Sequence, residues 1–217
     1  GSSTSINMTH KVSPKIFRVG VTETWNSSWF SSKKYQRNLK EDLKIKEFLE
    51  KEFEKGVIEK VKIEKMGNKV TLIIRTARPG FLIGKGGGGV ELLSKKIANM
   101  LKRREVKIDI EEIREPATSA SIAAEQIAGD IKRRVPYKQA IRRTKERISQ
   151  KKEIKGLKIK IKGRLNGAEI ARQETFKQGK LPLQTLKANI DYGEAKAHCS
   201  YGAIGIKIWL YKGERIS

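Results

Sequence analysis

The sequence predicts an α+β chain of two successive units, the second built on a mainly antiparallel sheet. Three observations point there. Apolar residues switch repeatedly between helical spacing and strict alternation along the chain. Charge is divided unevenly: residues 39–115 carry 19 bases and 14 acids, net +5, whereas residues 116–217 carry 23 and 9, net +14. Pro116 falls where the first pattern stops and the second begins. Mixed periods within each unit favour helices packed on a sheet.

Taken in order, residues 1–7 are polar, precede the first methionine, and read as a cloning remnant or frayed leader. Residues 8–38 form a basic arm; with the leader they hold 6 bases and 1 acid. The arm mixes Lys11, Lys15 and Arg18 with Pro14 and Gly20 at no sustained period. It is therefore expected to be extended, disordered alone and ordered on a partner. Trp25, Trp29 and Phe30 read as a satellite cluster docking the arm, with stacking on a nucleobase as the alternative.

Residues 39–55 place Leu39, Leu43, Phe48, Leu49 and Phe53 among alternating charges, an amphipathic helix ended by Gly56. A strand over 57–64, a turn at Gly67–Asn68 and a return strand over 70–75 follow. After Pro79–Gly80 come three apolar residues. Gly84, Lys85, Gly86, Gly87, Gly88 and Gly89 then lead into a helix marked by Val90, Leu93, Ile97 and Leu101. A third strand alternates over 106–111.

Four alternatives compete for the glycine loop. A P-loop requires G-x-x-x-x-G-K-[ST]; Gly80 and Gly84 are one residue too close, and Gly86 replaces the hydroxyl. The dinucleotide pattern G-x-G-x-x-G fits Gly84, Gly86 and Gly89, but the loop does not leave a strand directly. A plain flexible turn is the third. The fourth is the G-x-x-G loop of a KH domain, which clamps nucleic-acid backbone between loop and helix. The order helix, strand, strand, short helix, glycine loop, helix, strand is that of a type II KH domain, assigned to residues 39–115.

The second unit, residues 116–217, is expected to be a C-terminal α+β domain. Ile122, Ile127, Ile131 and Val135 mark a helix ending at Lys132, Arg133 and Arg134. Pro136 cannot continue it but can start the next. That next helix carries Lys138, Arg142, Arg143, Lys145 and Arg147 beside Ala140, Ile141, Thr144 and Ile148. Residues 157–163 alternate without a break, with Lys158, Lys160 and Lys162 on one face. Strands over 186–192, 196–201 and 204–211 complete the prediction.

The net charge of +24, from 48 bases and 24 acids, favours a polyanionic partner. Residues 132–164 concentrate 15 bases against 2 acids on regular elements with apolar backs. That makes a fixed patch, the footprint of a nucleic-acid-binding surface. No apolar run is long enough to span a bilayer. The lone cysteine, Cys199, excludes an internal disulfide, fits a reducing compartment and reads as a small core filler. Two histidines, one cysteine and no carboxylate cluster with metal spacing leave little for an enzyme, a metal site, a cofactor or a small-molecule substrate.

Several stretches together resemble the bacterial-type small-subunit ribosomal protein S-three family along nearly the whole chain. They are Lys11-Val-Ser-Pro14, Thr24-Trp-Asn-Ser-Ser-Trp-Phe30, Thr76-Ala-Arg-Pro-Gly80, Ile83-Gly-Lys-Gly-Gly87, Gly163-Arg-Leu-Asn-Gly-Ala-Glu-Ile-Ala-Arg172, Gly179-Lys-Leu-Pro-Leu-Gln-Thr-Leu186, Ile190-Asp-Tyr192 and Tyr201-Gly-Ala-Ile-Gly-Ile-Lys-Ile-Trp209. The resemblance implies a structural, cytoplasmic protein of the ribosomal small-subunit head. Its partners would be small-subunit rRNA, mRNA at the entry channel and neighbouring head proteins. It implies a grip on mRNA, and help in unwinding it, through Lys138, Gln139 and Arg142. Gln139 departs from the usual base and removes one charge. On these grounds Lys132, Arg133, Arg134, Lys138, Arg142 and Arg143 are expected to face mRNA. Lys11, Lys15, Arg18, Lys158, Lys160, Lys162, Arg164 and Arg172 are expected to hold rRNA phosphates. A free KH-domain RNA-binding regulator is the alternative function.

Overall fold

The computed structural model describes residues 12–53, 56–101 and 105–214. The leader and Lys11 lie outside them. The arm begins with a single helical turn, α1 (Pro14–Phe17), and a two-residue strand, β1 (Ser27–Ser28). Helix α2 (Tyr35–Glu52) follows, then the hairpin of β2 (Ile58–Met66) and β3 (Lys69–Thr76). A short helix α3 (Pro79–Ile83), the glycine loop and α4 (Gly88–Leu101) lead to β4 (Glu105–Glu112). The sheet order is β1-β2-β3-β4, with β4 parallel to β3 and β1 parallel to β2. Alternation dictates the core: Val70, Leu72 and Ile74 point to one face of β3 and meet Ile45, Leu49, Leu82, Ile97 and Leu101 from the helices. Each such side chain contributes about 1.5–3 kcal/mol when fully buried.

Helix α2 presents a different face from the one its leucines suggest. Its buried residues are Asn38, Glu41, Asp42, Ile45 and Leu49, while Leu39 and Leu43 are exposed. Lys65 is the cause. Its register opposite Val70 puts it on the inner face of β2. There its Nζ lies 2.6 Å from Asp42 Oδ1 and 3.2 Å from Glu41 Oε2, and donates to the Asn38 carbonyl at 2.8 Å. A buried ammonium is costly unless paired, so the helix turns its acids inward. The Trp29 indole N–H donates to the other Asp42 oxygen at 2.9 Å, and its ring lies 5.3 Å from that of Tyr35. Trp29 thus docks the arm as expected; Trp25 and Phe30 stay exposed, at 72% and 95%.

The second unit has two layers. Helices α5 (Ala120–Lys132) and α6 (Tyr137–Ser149) cover one face of a four-stranded antiparallel sheet. The strands are β5 (Gly156–Gly163), β6 (Arg172–Gly179), β7 (Ala188–Cys199) and β8 (Gly202–Glu214), in the order β6-β5-β8-β7. Ile159, Ile161, Ile206, Ile208 and Leu210 meet Ile127, Ala140, Ile141 and Ile148 in its core, and Cys199 packs partly against them. Two expectations change. Ala188–Cys199 form one long strand where two, over 186–192 and 196–201, were expected. Gly193 at its centre is set by packing: a Cβ there would lie 2.4 Å from the Ala120 carbonyl, so α5 can approach only a bare backbone. The strand at Arg172–Gly179 was not foreseen, because this edge strand is largely exposed and polar.

The arm is fastened to this unit, which corrects the expectation that it is disordered alone. Arg18 is 1% exposed. Its Nε donates to the Ala188 carbonyl at 2.9 Å and its Nη2 to those of Leu183 and Thr185 at 2.7 and 3.0 Å. Its Nη1 donates to the Pro14 carbonyl at 3.1 Å. Lys15 pairs at 3.2 Å with Asp191, whose other oxygen accepts the Ala120 N–H at 2.8 Å at the start of α5. One carboxylate therefore serves both a helix end and the arm.

Candidate nucleic-acid interface

The two layers of the C-terminal unit put bases on both of its outer surfaces. On the bare side of the sheet, cross-strand register gathers the lysines. Lys158 stands between Lys177 and Trp209, Lys160 between Thr175 and Lys207, and Lys162 between Gln173 and Gly205. Lys196 joins the same face opposite Gly205. Neighbouring strands are about 4.8 Å apart, and alternate residues along a strand about 7 Å. Those spacings are below the Debye length of about 8 Å at physiological salt, so the lysines feel one another.

Aromatic and acidic neighbours orient this face. The Lys158 ammonium sits 5.0 Å from the centroid of the Trp209 ring, which packs at 5.4 Å against Tyr192. The Tyr192 hydroxyl donates to Glu194 at 2.8 Å, and Glu194 lies 3.5 Å from Lys207. Burial, followed by the bond to Glu194, raises the tyrosine pKa. The tyrosine hydroxyl, together with Lys207 and Lys196, holds the Glu194 carboxyl below its ordinary value.

The second surface is that of α6. Lys138, Gln139, Arg142 and Arg143 are exposed along it, and Ala140, Ile141, Thr144 and Ile148 face the sheet. Arg142 pairs at 2.9 Å with Glu146 one turn on, both largely in solvent. Lys132, Arg133 and Arg134 stand exposed at the end of α5, where the helix dipole favours cations. Arg134 takes φ +64°, and the turn closes with the Val135 N–H on the Asp130 carbonyl at 3.0 Å.

Of the residues expected to hold rRNA, Lys158, Lys160 and Lys162 come together as expected. Arg172 does not join them. It shares the helix-side face of β6 with Glu174, the acceptor of the Tyr137 hydroxyl at 2.8 Å, and so lies toward the start of α6. Arg164 donates to the carbonyls of Ala168 and Tyr201 at 2.9 and 3.3 Å, bracing its own turn. Arg18 is the clear correction. Enclosed by backbone carbonyls and out of solvent, it cannot meet a phosphate. Lys15, paired with Asp191, is also engaged within the molecule. Residues the sequence reading passed over are Lys177, Lys196, Lys207 and Trp209. The alternation over 204–210 held the clue for the last two, because Ile204, Ile206 and Ile208 turn inward and leave the intervening side chains outward.

In the first unit the glycine loop is a built turn. Gly84 takes φ +67° after α3, and Gly86 and Gly87 also take positive φ. A Cβ on Gly89 would lie 2.6 Å from the Leu82 carbonyl, so α4 can start against α3 only with glycine there. The Lys85 side chain is outside the described residues. Phe81 and Leu92 are exposed beside the loop, with the Arg78 guanidinium 5.9 Å from the Phe81 ring. The arrangement offers backbone amides, the N-terminus of a 14-residue helix and apolar surface to a nucleotide chain.

Comparison with known families agrees with this geometry. A KH-domain family model matches residues 44–118, and one for the ribosomal protein S3 C-terminal domain matches residues 127–210. A small ribosomal subunit protein uS3 from Syntrophomonas wolfei is 44% identical over 207 residues, 95% of this chain and 90% of the relative. The chain belongs to the ribosomal protein S3 family. The uS3 proteins of Carboxydothermus hydrogenoformans and a Sulfurihydrogenibium species are 45% and 41% identical, over 95% and 96% of this chain and 93% and 92% of their own lengths. The S3 C-terminal match spans both basic surfaces, and the KH match spans the glycine loop.

Proposed function

We propose that the chain is a structural, non-enzymatic constituent of the small ribosomal subunit in the cytoplasm. It binds small-subunit rRNA and neighbouring proteins there, and lines the path of incoming mRNA. Its parts are the arm at residues 8–38, the KH domain at 39–115 and the C-terminal domain at 116–217. The observation that carries this proposal is the pair of basic surfaces on opposite sides of one rigid two-layer domain, within the S3 family. The sheet face, with Lys158, Lys160 and Lys162, positions the protein on rRNA phosphates. The α6 face, with Lys138, Arg142 and Arg143 beside Lys132, Arg133 and Arg134, grips mRNA as it moves. Such contacts with phosphate fix position and carry little base information.

Gln139 gives the grip one charge fewer than a base would. The Gly84–Gly87 loop supports a backbone contact by the KH domain. The test is a double substitution, Lys138→Ala with Arg142→Ala. Translation of structured messages should slow, unstructured ones should be unaffected, and subunits should still assemble. Equal rates on both messages would refute the mRNA assignment. A free RNA-binding regulator is distinguished by sedimentation: the chain would then stay at the top of a sucrose gradient in cells rich in subunits.

A further inference from the structure

Between the arm, α2, β2, the start of α5 and β7 runs a groove of about 690 Å³, a size that takes a few residues of peptide. Its charge is opposite to that of the molecule. Glu23, Glu50, Glu59, Glu125 and Glu194 line it, against Lys15, Lys46 and Lys60. Five carboxylates and three ammonium groups leave the lining at −2, in a chain of net charge +24. Pairing engages both signs: Lys60 lies 3.4 Å from Glu23, Lys15 lies 3.2 Å from Asp191, and Glu194 lies 3.5 Å from Lys207 outside the groove. Glu59 Oε2 is buried and accepts no hydrogen bond among the described residues, with Arg75 Nη1 3.4 Å away. The apolar part of the lining is Ile16, Val19, Trp25, Phe53 and Ile58. Trp25 is 72% exposed at its rim.

We infer that this groove is a docking site for a lysine- or arginine-bearing peptide segment of a neighbouring protein. Charge complementarity selects the occupant. A phosphate in the groove would stand beside carboxylates, with cheaper places on either basic face. A cationic peptide meets the reverse: most of the surface repels it and this groove attracts it, so the field steers it here. Trp25 offers a ring face to a guanidinium, and the apolar lining takes the aliphatic stems of the same side chains. The groove lies away from the α6 face and meets the lysine face only at Glu194, so most of its lining is outside both RNA-binding surfaces proposed above.

The test uses the full chain and a fluorescein-labelled peptide of alternating arginine and leucine, followed by anisotropy. Saturable binding is expected, weakened at least tenfold by Glu50→Lys with Glu125→Lys. The exposed Trp25→Ala should weaken it severalfold without risk to the fold. A glutamate–leucine peptide should bind the basic faces instead and be insensitive to all three substitutions. No saturable binding of the cationic peptide, or binding unchanged in both variants, overturns the inference. Replacing Trp25 with a photocrosslinking benzoylphenylalanine then identifies the occupant in purified subunits. An adduct with a lysine- or arginine-rich segment of another protein is expected. Adducts to rRNA alone, or to a second copy of this chain, overturn it. The inference rests on the ribosomal proposal only for the source of the partner. Absence of the chain from subunits would defeat that proposal and leave the peptide result standing.

Discussion

On the sheet face of the C-terminal unit, bases are held in place; on the α6 face they are held loosely. Lys158 is fixed over Trp209, Trp209 packs on Tyr192, Tyr192 bonds Glu194, and Glu194 reaches Lys207. On α6 the one ion pair among the described residues, Arg142 with Glu146, spans a single turn with side chains 81% and 59% exposed. Exposed pairs of this kind are worth about 0.3–0.5 kcal/mol, so a passing phosphate can take the arginine at little cost. In the proposed function, charge of one sign is mounted for two tasks. A prepaid, oriented lattice suits a stationary RNA, and long solvated side chains on a rigid helix suit one that slides.

Arg18 gives the largest effect expected and the control for both faces. Arg18→Ala leaves the carbonyls of Ala188, Leu183, Thr185 and Pro14 without their donor, a loss of about 3–5 kcal/mol. Urea unfolding should show it, with the salt dependence of RNA binding unchanged. A lower salt slope at equal stability would mean that this cation reaches RNA after all.

Replacing Lys158, Lys160 and Lys162 with alanine should lower the slope of log affinity against log salt by about 2 for single-stranded RNA, at about 0.7 per phosphate. Stability should hold or rise slightly, because like charges on one face repel. An unchanged slope would remove the sheet face as an RNA platform and erase the contrast between the faces.

Gln139→Lys is the smaller, opposite change. It should raise the slope by about 0.7 and speed passage through structured messages, if the α6 face is the sliding one.

The smallest effect concerns acid. The Glu194 pKa is depressed in the folded state, by the Tyr192 hydroxyl first and then by Lys207. A depressed carboxylate stabilises the fold above its unfolded pKa of about 4.3, and that contribution fades as pH falls through the folded value. Glu194→Gln should therefore flatten the acid limb of a stability–pH curve below about pH 4.3, with little change above pH 6 in that dependence. Parallel curves for both proteins would show that the network does not orient the lysine face.

Helices α5 and α6 and strands β2 to β5 were legible in sequence because each carries an unbroken period. The misreadings share a cause: the deciding neighbour lies far away along the chain. Nothing near Leu39 and Leu43 announces that Lys65 will draw Asp42 and Glu41 inward. Nothing near Arg18 announces a ring of carbonyls from residues 183–188. Of the interface, the lysines of β5 were visible as an alternating row, whereas Lys177, Lys196 and Lys207 became part of it only through register.

The closure around Arg18 has a consequence for biosynthesis. The acceptor of its Nε, the Ala188 carbonyl, lies 170 residues downstream. A ribosome making this chain releases the arginine long before these acceptors exist, so Arg18 cannot lock until residues 183–188 have been made. Fastening of the α1 end of the arm is therefore a late event, and a truncated product missing β7 and β8 would keep the Trp29 contact with α2 but carry Arg18 undocked.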